Sequence, residues 1–449
     1  MHKADSADAI VVGAGISGLS AAHALKKAGL DVLVLEARSR PGGRTGVVES
    51  DGLIFDIGGE WVDEAHAEIR ALAAEIGVEL YPYERRKENA RWYVNGRMND
   101  EMPFSKKHAG IYARMNDVLM ETASALDPES YWKDAPDKDA SVEDWLMAAG
   151  MSESGIHTVE TLVSTCGSTV PLDRMSFHSY AVKLATRGGP GKGNEYRVRG
   201  GAGSIARELA RRIEDDIRYS SPVTEVIQDE EGAEVRWMTE DGPVSARASK
   251  VILAVPFTAY PTIRFRPEPP PAYRRMISGA TYGVVRKMLF VFDTEVDTSR
   301  FTVTDTHLGY LCAAQDTGSG SARGIVSFAG GRPLLAELGL PEAERKRRAV
   351  ELLKTLYDVP EPAAVLEKVW PHDYWTRGSY MIVAPGDMAG FGGAMGGSFG
   401  RIHLAGAEGV AAAPSFMNSA VKAGLRAGES VVESFRDDRA NLAAEAGSR

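Results

Sequence analysis

Cysteine is almost missing from this chain: Cys166 and Cys312 are the only two in 449 residues. That excludes a disulfide framework and a cysteine-ligated zinc centre. No apolar run approaches the ~18 residues that read as a spanning helix, so no membrane span is expected. Met1 to Asp8 is short and polar, with no basic stretch and long apolar core behind it, so no secretory leader is expected. Excess positive charge is missing too. The 52 basic and 62 acidic residues leave a net charge of −10, which argues against nucleic acid or anionic lipid as the main partner. His66, His372 and His403 show neither metal nor nucleophile spacing, and no metal site is expected. The expectation is a soluble, cytoplasmic protein. At ~150 residues per domain the length suggests two or three domain-sized units. A homodimer is compatible with this composition and not required by it.

The first 60 residues carry the strongest pattern. Ala9-Ile10-Val11-Val12 reads as a buried strand, and Gly13-Ala14-Gly15-Ile16-Ser17-Gly18 follows it. A helix is predicted from Ile16 to Ala28, with Ile16, Leu19, Ala22 and Leu25 on one face and Gly29 as its stop. Val32 to Leu35 is a second strand, closed by Glu36. Strand, tight turn, helix and strand in so short a span predict a βαβ unit with parallel strands. Gly13, Gly15 and Gly18 fit the dinucleotide fingerprint. One glycine makes the turn, one admits pyrophosphate to the backbone, and one lets helix and strand close up. The helix N-terminus offers free N–H groups to phosphate. Glu36, roughly 20 residues on, is placed to accept ribose hydroxyls.

Further along, a helix is predicted from about Pro341 to Tyr357, with Ala349, Leu352, Leu353 and Leu356 inward. Its run Arg345-Lys346-Arg347-Arg348 reads as a solvated face. Lys287 lies in an apolar strand with Met288 to Val291 after it, an uncommon setting for lysine. Its neighbour Arg286 points to the opposite face of a strand and is expected to be solvated or paired.

The run Glu36-Ala37-Arg38-Ser39-Arg40-Pro41-Gly42-Gly43-Arg44 resembles the flavoprotein family that contains monoamine oxidases, polyamine oxidases, L-amino-acid oxidases and some desaturases. Five further segments resemble that family in its order. They are Asp56-Ile57-Gly58-Gly59-Glu60-Trp61, Gly200-Gly201-Ala202-Gly203, Ser221-Pro222-Val223, Val251 to Pro256, and Gly400 to Glu408 with Ser415 to Val421.

The resemblance implies an α/β fold. A Rossmann-like FAD domain of the glutathione-reductase-like type is built from 1–78, 195–265 and 372–436. An interleaved α+β substrate domain is built from 79–194 and 266–371, and 437–449 is a polar tail. It implies FAD against Gly13, Gly15, Ile16, Ser17, Gly18, Glu36, Ala37, Arg38, Gly43, Arg44, Gly58, Gly59, Glu60, Trp61, Val223, Ala254, Trp370, Trp375, Gly406, Ala407, Glu408, Ser415, Phe416 and Met417. Arg38 and Arg44 would bring positive charge toward the pyrophosphate. Ser379 stands where some relatives carry a flavin-bonding cysteine, so FAD is expected to be noncovalent.

The implied activity is that of an amine oxidase. A hydride passes from the carbon beside nitrogen to flavin N5, an imine forms, and oxygen returns as hydrogen peroxide. Tyr380 and Phe416 are the implied aromatic pair around the amine, since ring faces attract an ammonium. Lys287 is the implied flavin-facing lysine. Glu60 is either a base or an acceptor for backbone N–H groups of the FAD loops, the second being preferred. Segments 164–183 and 308–312 are expected to set specificity. Three alternatives stay open: a natural-product oxidase acting on an amide or complex amine with cyclisation, an L-amino-acid oxidase, and a flavin-binding protein without turnover. The amino-acid reading needs an arginine for the carboxylate, for which Arg85, Arg86 and Arg91 are the candidates.

Overall fold

The computed structural model describes residues 6–50, 52–83, 90–134, 139–314, 320–410, 412, 414 and 416–447, with side chains to 437. Its first strand, Ser6–Val12, is buried on both faces from Ala9 onward. A strand without a solvent face belongs inside a parallel sheet. Val32–Leu35 flanks it in parallel on one side and Gly242–Leu253 on the other. Ile217–Arg218 and Ile402–Leu404 extend the same parallel set at its two ends. Chain segments far apart in sequence thus converge on one sheet.

The twelve-residue strand Gly242–Leu253 serves two partners on one edge. Its last residues run parallel to Ile402–Leu404, and its first half pairs antiparallel with Ala233–Thr239. Val223–Gln228 completes that antiparallel meander.

The βαβ unit forms as predicted, with the helix at Ile16–Lys27. Gly13 makes the turn at φ +102°, where an added Cβ would sit 3.0 Å from Ala254 O. A Cβ at Gly18 would sit 1.9 Å from Gly13 O, so only glycine lets the helix lie this close to the strand. The long helix Met417–Gly447 packs across Ile16–Lys27. It runs on through the segment expected as a polar tail.

The chain also forms a second, seven-stranded sheet. Its longest strand, Val285–Asp297, is paired antiparallel with Ser321–Gly330 and Ala364–Val369. Residues 285–292 are all buried. Arg286, allowed by the sequence to be solvated or paired, is fully buried; it donates to His307 O at 2.6 Å and lies 3.8 Å from Glu367.

The helix Glu342–Leu356 buries Ala349, Leu353 and Leu356, while Leu352 is only half-buried. The basic run on it departs from expectation. Arg345 is buried and grips Glu367 at 2.7 Å. It lies four residues before Ala349 and so shares the inward stripe; helical phase overrides the charge run. Among the described residues no helix is long and apolar enough to cross a membrane.

Candidate active site

The glycine turn and the strand ends after it form a cradle. The helix Ile16–Lys27 starts with no side-chain cap and no acidic residue in its first turn. A Cβ on Gly15 would meet nothing within 4 Å, so the free N–H end faces open space. Gly42 N donates to Ala14 O at 2.8 Å and draws the Gly42-Gly43 loop over it. Glu36, at the end of Val32–Leu35, accepts from Ala14 N at 2.7 Å and from Arg38 N at 2.9 Å. Burial pushes its carboxyl above the usual range, against the two backbone donors. Each oxygen keeps a second lone pair for a hydroxyl. An uncapped helix end, open glycine space and a buried acid fit a dinucleotide.

Arg38 and Arg44 are not free charges. Arg38 is paired to Asp373, which also takes Lys368 at 2.6 Å. Arg44 grips the fully buried Glu408 through both nitrogens, at 2.5 and 2.9 Å, and reaches Ser379 O at 3.0 Å. Glu408 also accepts from Tyr282 at 2.9 Å. The expectation of positive charge turned on the pyrophosphate therefore gives way to two ion pairs that pin the loop to the C-terminal strands.

Ser17 Oγ accepts from Gly406 N at 2.7 Å and ties the first helix to the Gly406-Ala407 turn. Ala254 N donates to Val12 O at 2.9 Å. Val223 opens its strand at the sheet end, and half-buried Ala37 follows Glu36. Gly59 faces the Met417 thioether, and Gly58 sits against Arg44 O, each closer than a Cβ allows. Trp370 donates to Ile57 O at 3.0 Å, and the Trp375 backbone donates to Asp373 at 3.1 Å. Ser415 lies outside the described residues, as do Arg85 and Arg86.

A buried charge cluster lies beside Gly58. Lys287 Nζ is 2.5 Å from Glu60 Oε2, 3.0 Å from Asp56 O and 5.2 Å from the Trp61 ring centre. Arg197 Nη2 is 2.5 Å from Glu60 Oε1. Glu60 thus bridges two cations, instead of accepting the backbone N–H groups expected for it. Both of its oxygens are engaged in ion pairs. Asp56 completes the cluster; burial and the Glu60 charge push its carboxyl up to about 7. Arg197 went unrecognised in the sequence because nothing marks a single arginine in the short strand Tyr196–Val198. Its register opposite Trp61 brings it to Glu60.

Tyr380 and Phe416, 36 positions apart in sequence, face a common cation. Tyr380 leads into Met381–Ile382, which pairs with Thr281–Tyr282, and its hydroxyl donates to Gly167 O. Phe416 precedes the terminal helix and lies 5.0 Å from the His66 ring. The cation is Lys183, on the helix Phe177–Ala185. Its Nζ is 5.4 Å from the Tyr380 ring centre and 5.6 Å from that of Phe416. Arg187 lies 5.5 Å over Phe416 and is held by Asp63 at 2.8 Å. Desolvation and the Arg187 charge push the Lys183 ammonium down to about 7. Lys183 lines a small, mostly apolar pocket with Met175, Tyr180, Met381, Ile382 and Val383. Residues 308–312, also expected near substrate, are spent largely on the core: Leu308 and Leu311 are fully buried. Arg91 is engaged structurally, donating to Thr302 at 3.0 Å and Leu356 O at 2.5 Å.

Residues 16–432 match the model of the flavin containing amine oxidoreductase family. The chain belongs to that family. A flavin-containing amine oxidase of Danio rerio is 28% identical, over 96% of this chain and 86% of its own. An L-amino acid dehydrogenase of Synechocystis is 25% identical, over 96% of each. The solved structure of a wild-type putrescine oxidase bound to putrescine matches with a TM-score of 0.83 at 26% identity, over 96% of this chain and 99% of that one. The protein is therefore an oxidoreductase of the flavin amine oxidase family with FAD as its cofactor, and the cradle around Gly15 and Glu36 fits that group.

Proposed function

We propose that the chain oxidises the carbon beside a substrate amine nitrogen to an imine, with oxygen as the final acceptor. The observation that carries this reading is that Tyr380 and Phe416, far apart in sequence, are brought to one place, both within 6 Å of the same Lys183 Nζ at 5.4 and 5.6 Å from the ring centres. Bound FAD supplies the hydride acceptor at N5 and returns the electron pair to oxygen as hydrogen peroxide. The residues of the chain do the rest. The two ring faces attract the incoming amine and orient its lone pair. That lone pair closes the C=N bond as the hydride leaves with its bonding electrons. The apolar walls exclude water, which would hydrate the amine and the iminium.

Segments 1–78, 195–265 and 372–436 hold the cofactor in this reading, and 79–194 with 266–371 cover it. Lys287 is the fixed cation beside Gly58 and acts in the return of electrons to oxygen. FAD is held without a covalent bond, because residue 379 is a serine whose hydroxyl donates to Gly283 O at 2.9 Å. The amide-oxidising reading needs Glu60 as a free base, and its two ion pairs weigh against that.

Anaerobic addition of amines and amino acids to the yellow holoprotein tests the proposal. Loss of the flavin absorbance, followed by peroxide on admission of air, is expected. A spectrum unmoved by any amine, amino acid or amide overturns it.

A further inference from the structure

Lys183 is an ammonium without an anion. Among the described residues it has no hydrogen-bond acceptor and no carboxylate partner; its neighbours are the Tyr380 and Phe416 faces and the Arg187 guanidinium. The nearby Asp63 is already committed, to Arg187 at 2.8 Å and to Asn194 N at 2.6 Å. A half-buried lysine with no acceptor, beside a second cation, is costly unless an incoming group neutralises it. A bare cationic amine makes this worse, since it must enter the aromatic slot against two like charges.

A second observation points the same way. His66 is 4% exposed and packs on Phe416. Its Nδ1 accepts from Asp63 N at 2.9 Å, while its Nε2 makes no hydrogen bond among the described residues and has Asp63 Oδ2 at 3.5 Å. With Nδ1 accepting, Nε2 carries the proton, and the one carboxylate oxygen near it is too far for a full hydrogen bond, so it can turn toward an incoming acceptor at the same wall.

We propose that Lys183, with Arg187 and His66 beside it, binds a carboxylate of the substrate, so that the substrate class is an α-amino acid and not a simple amine. The inference rests on Tyr380 and Phe416 flanking the amine. In an α-amino acid the carboxylate oxygens lie about 3 Å from the nitrogen, and a charge-assisted hydrogen bond adds about 2.8 Å. That reach, under about 6 Å, lets the carboxylate meet Lys183 while the amine stands at the same aromatic slot, since Lys183 Nζ lies 5.4 and 5.6 Å from the two ring centres. A pocket that Lys183 itself lines has Met175, Met381, Ile382 and Val383 in its wall, an apolar lining suited to an apolar side chain. Arg91, Arg85 and Arg86 are not needed for this role.

The test uses the FAD-loaded full chain with two amino acids and their decarboxylated counterparts: L-phenylalanine with phenylethylamine, and L-leucine with isopentylamine. The native protein is expected to prefer the amino acid in kcat/KM. Lys183→Met is expected to lower the ratio of amino-acid to amine kcat/KM by roughly a hundredfold, chiefly through KM, and Lys183→Arg to restore much of it. A native preference for the plain amines overturns the proposal, as does a Lys183→Met variant in which both substrates fall equally. Phenylacetate, which cannot be oxidised at nitrogen, separates this proposal from the oxidase reading. Saturable perturbation of the flavin spectrum by phenylacetate is expected in the native protein and Lys183→Arg, and not in Lys183→Met. No perturbation in the native protein overturns the carboxylate site even if amines bleach the flavin. Perturbation without bleaching by any substrate supports the site and sinks the oxidase reading.

Discussion

Glu60 and Lys287 stand 227 residues apart in the chain, yet carboxylate and ammonium lie 2.5 Å apart with both side chains about nineteen-twentieths buried. Arg197 closes on the other oxygen of the same carboxylate. Removing that carboxylate strands two buried cations. Glu60→Gln is expected to destabilise the protein by about 3 kcal/mol, because the cost is that of leaving charge uncompensated in the interior. Calorimetric melting of the holoprotein checks this; an unchanged transition temperature would show that water already solvates the cluster.

Lys287→Met removes the cation and keeps the volume of the side chain. Reoxidation by oxygen is expected to slow by an order of magnitude or more, while anaerobic reduction changes little. Stopped-flow measurement of the two half-reactions separates them. If both rates are untouched, the lysine has a packing role only.

Lys183 supplies a pH dependence. Its ammonium is pushed down to about 7 by desolvation first and Arg187 second. The other charged or titratable groups around it are Asp63 and His66, with the phenols Tyr180 and Tyr380. Burial raises both phenols, Tyr380 to about 12. Carboxylate binding needs the charged lysine. Phenylacetate affinity is therefore expected to be level from about pH 5, where the ligand is ionised, to about pH 7, and to fall roughly tenfold per unit above it. The same titration in Lys183→Met should be flat; an identical slope there would assign the effect elsewhere.

Glu408→Gln cuts the bidentate grip on Arg44 and unbalances a guanidinium that burial already disfavours. The Gly42-Gly43 loop then loses its tie to the C-terminal strands. Weaker flavin retention is expected, read as the ratio of flavin to protein absorbance after exhaustive dialysis. Full retention would mean that the other loop contacts suffice.

Acid precipitation of the native protein should release all yellow colour to the supernatant, since Ser379 cannot form a thioether. Colour left on the denatured pellet would refute noncovalent FAD.

Much of the cradle was legible because its signals are local. A glycine triplet between a buried strand and a helix, with an acid closing the next strand, has one good physical solution. The inward Arg345 was misread for a local reason as well: four adjacent basic residues masked a phase that places the first of them under Ala349. Arg197, Lys183 and the pairing of Glu60 with Lys287 had no local signal at all. Each is an ordinary residue in an ordinary element, and its role follows from what lies across from it.

By itself, the order of residues determined the βαβ start, the glycine positions, the buried strand bearing Lys287 and the membership of the flavin family, because those depend on spacing along one stretch of chain. Which charges neutralise each other, and that an unpaired ammonium faces the Tyr380 and Phe416 rings, was decided only by the tertiary structure. Electrostatic partners are chosen by distance in space, and in this fold the deciding pairs come from strands and helices brought together by sheet pairing and not by sequence.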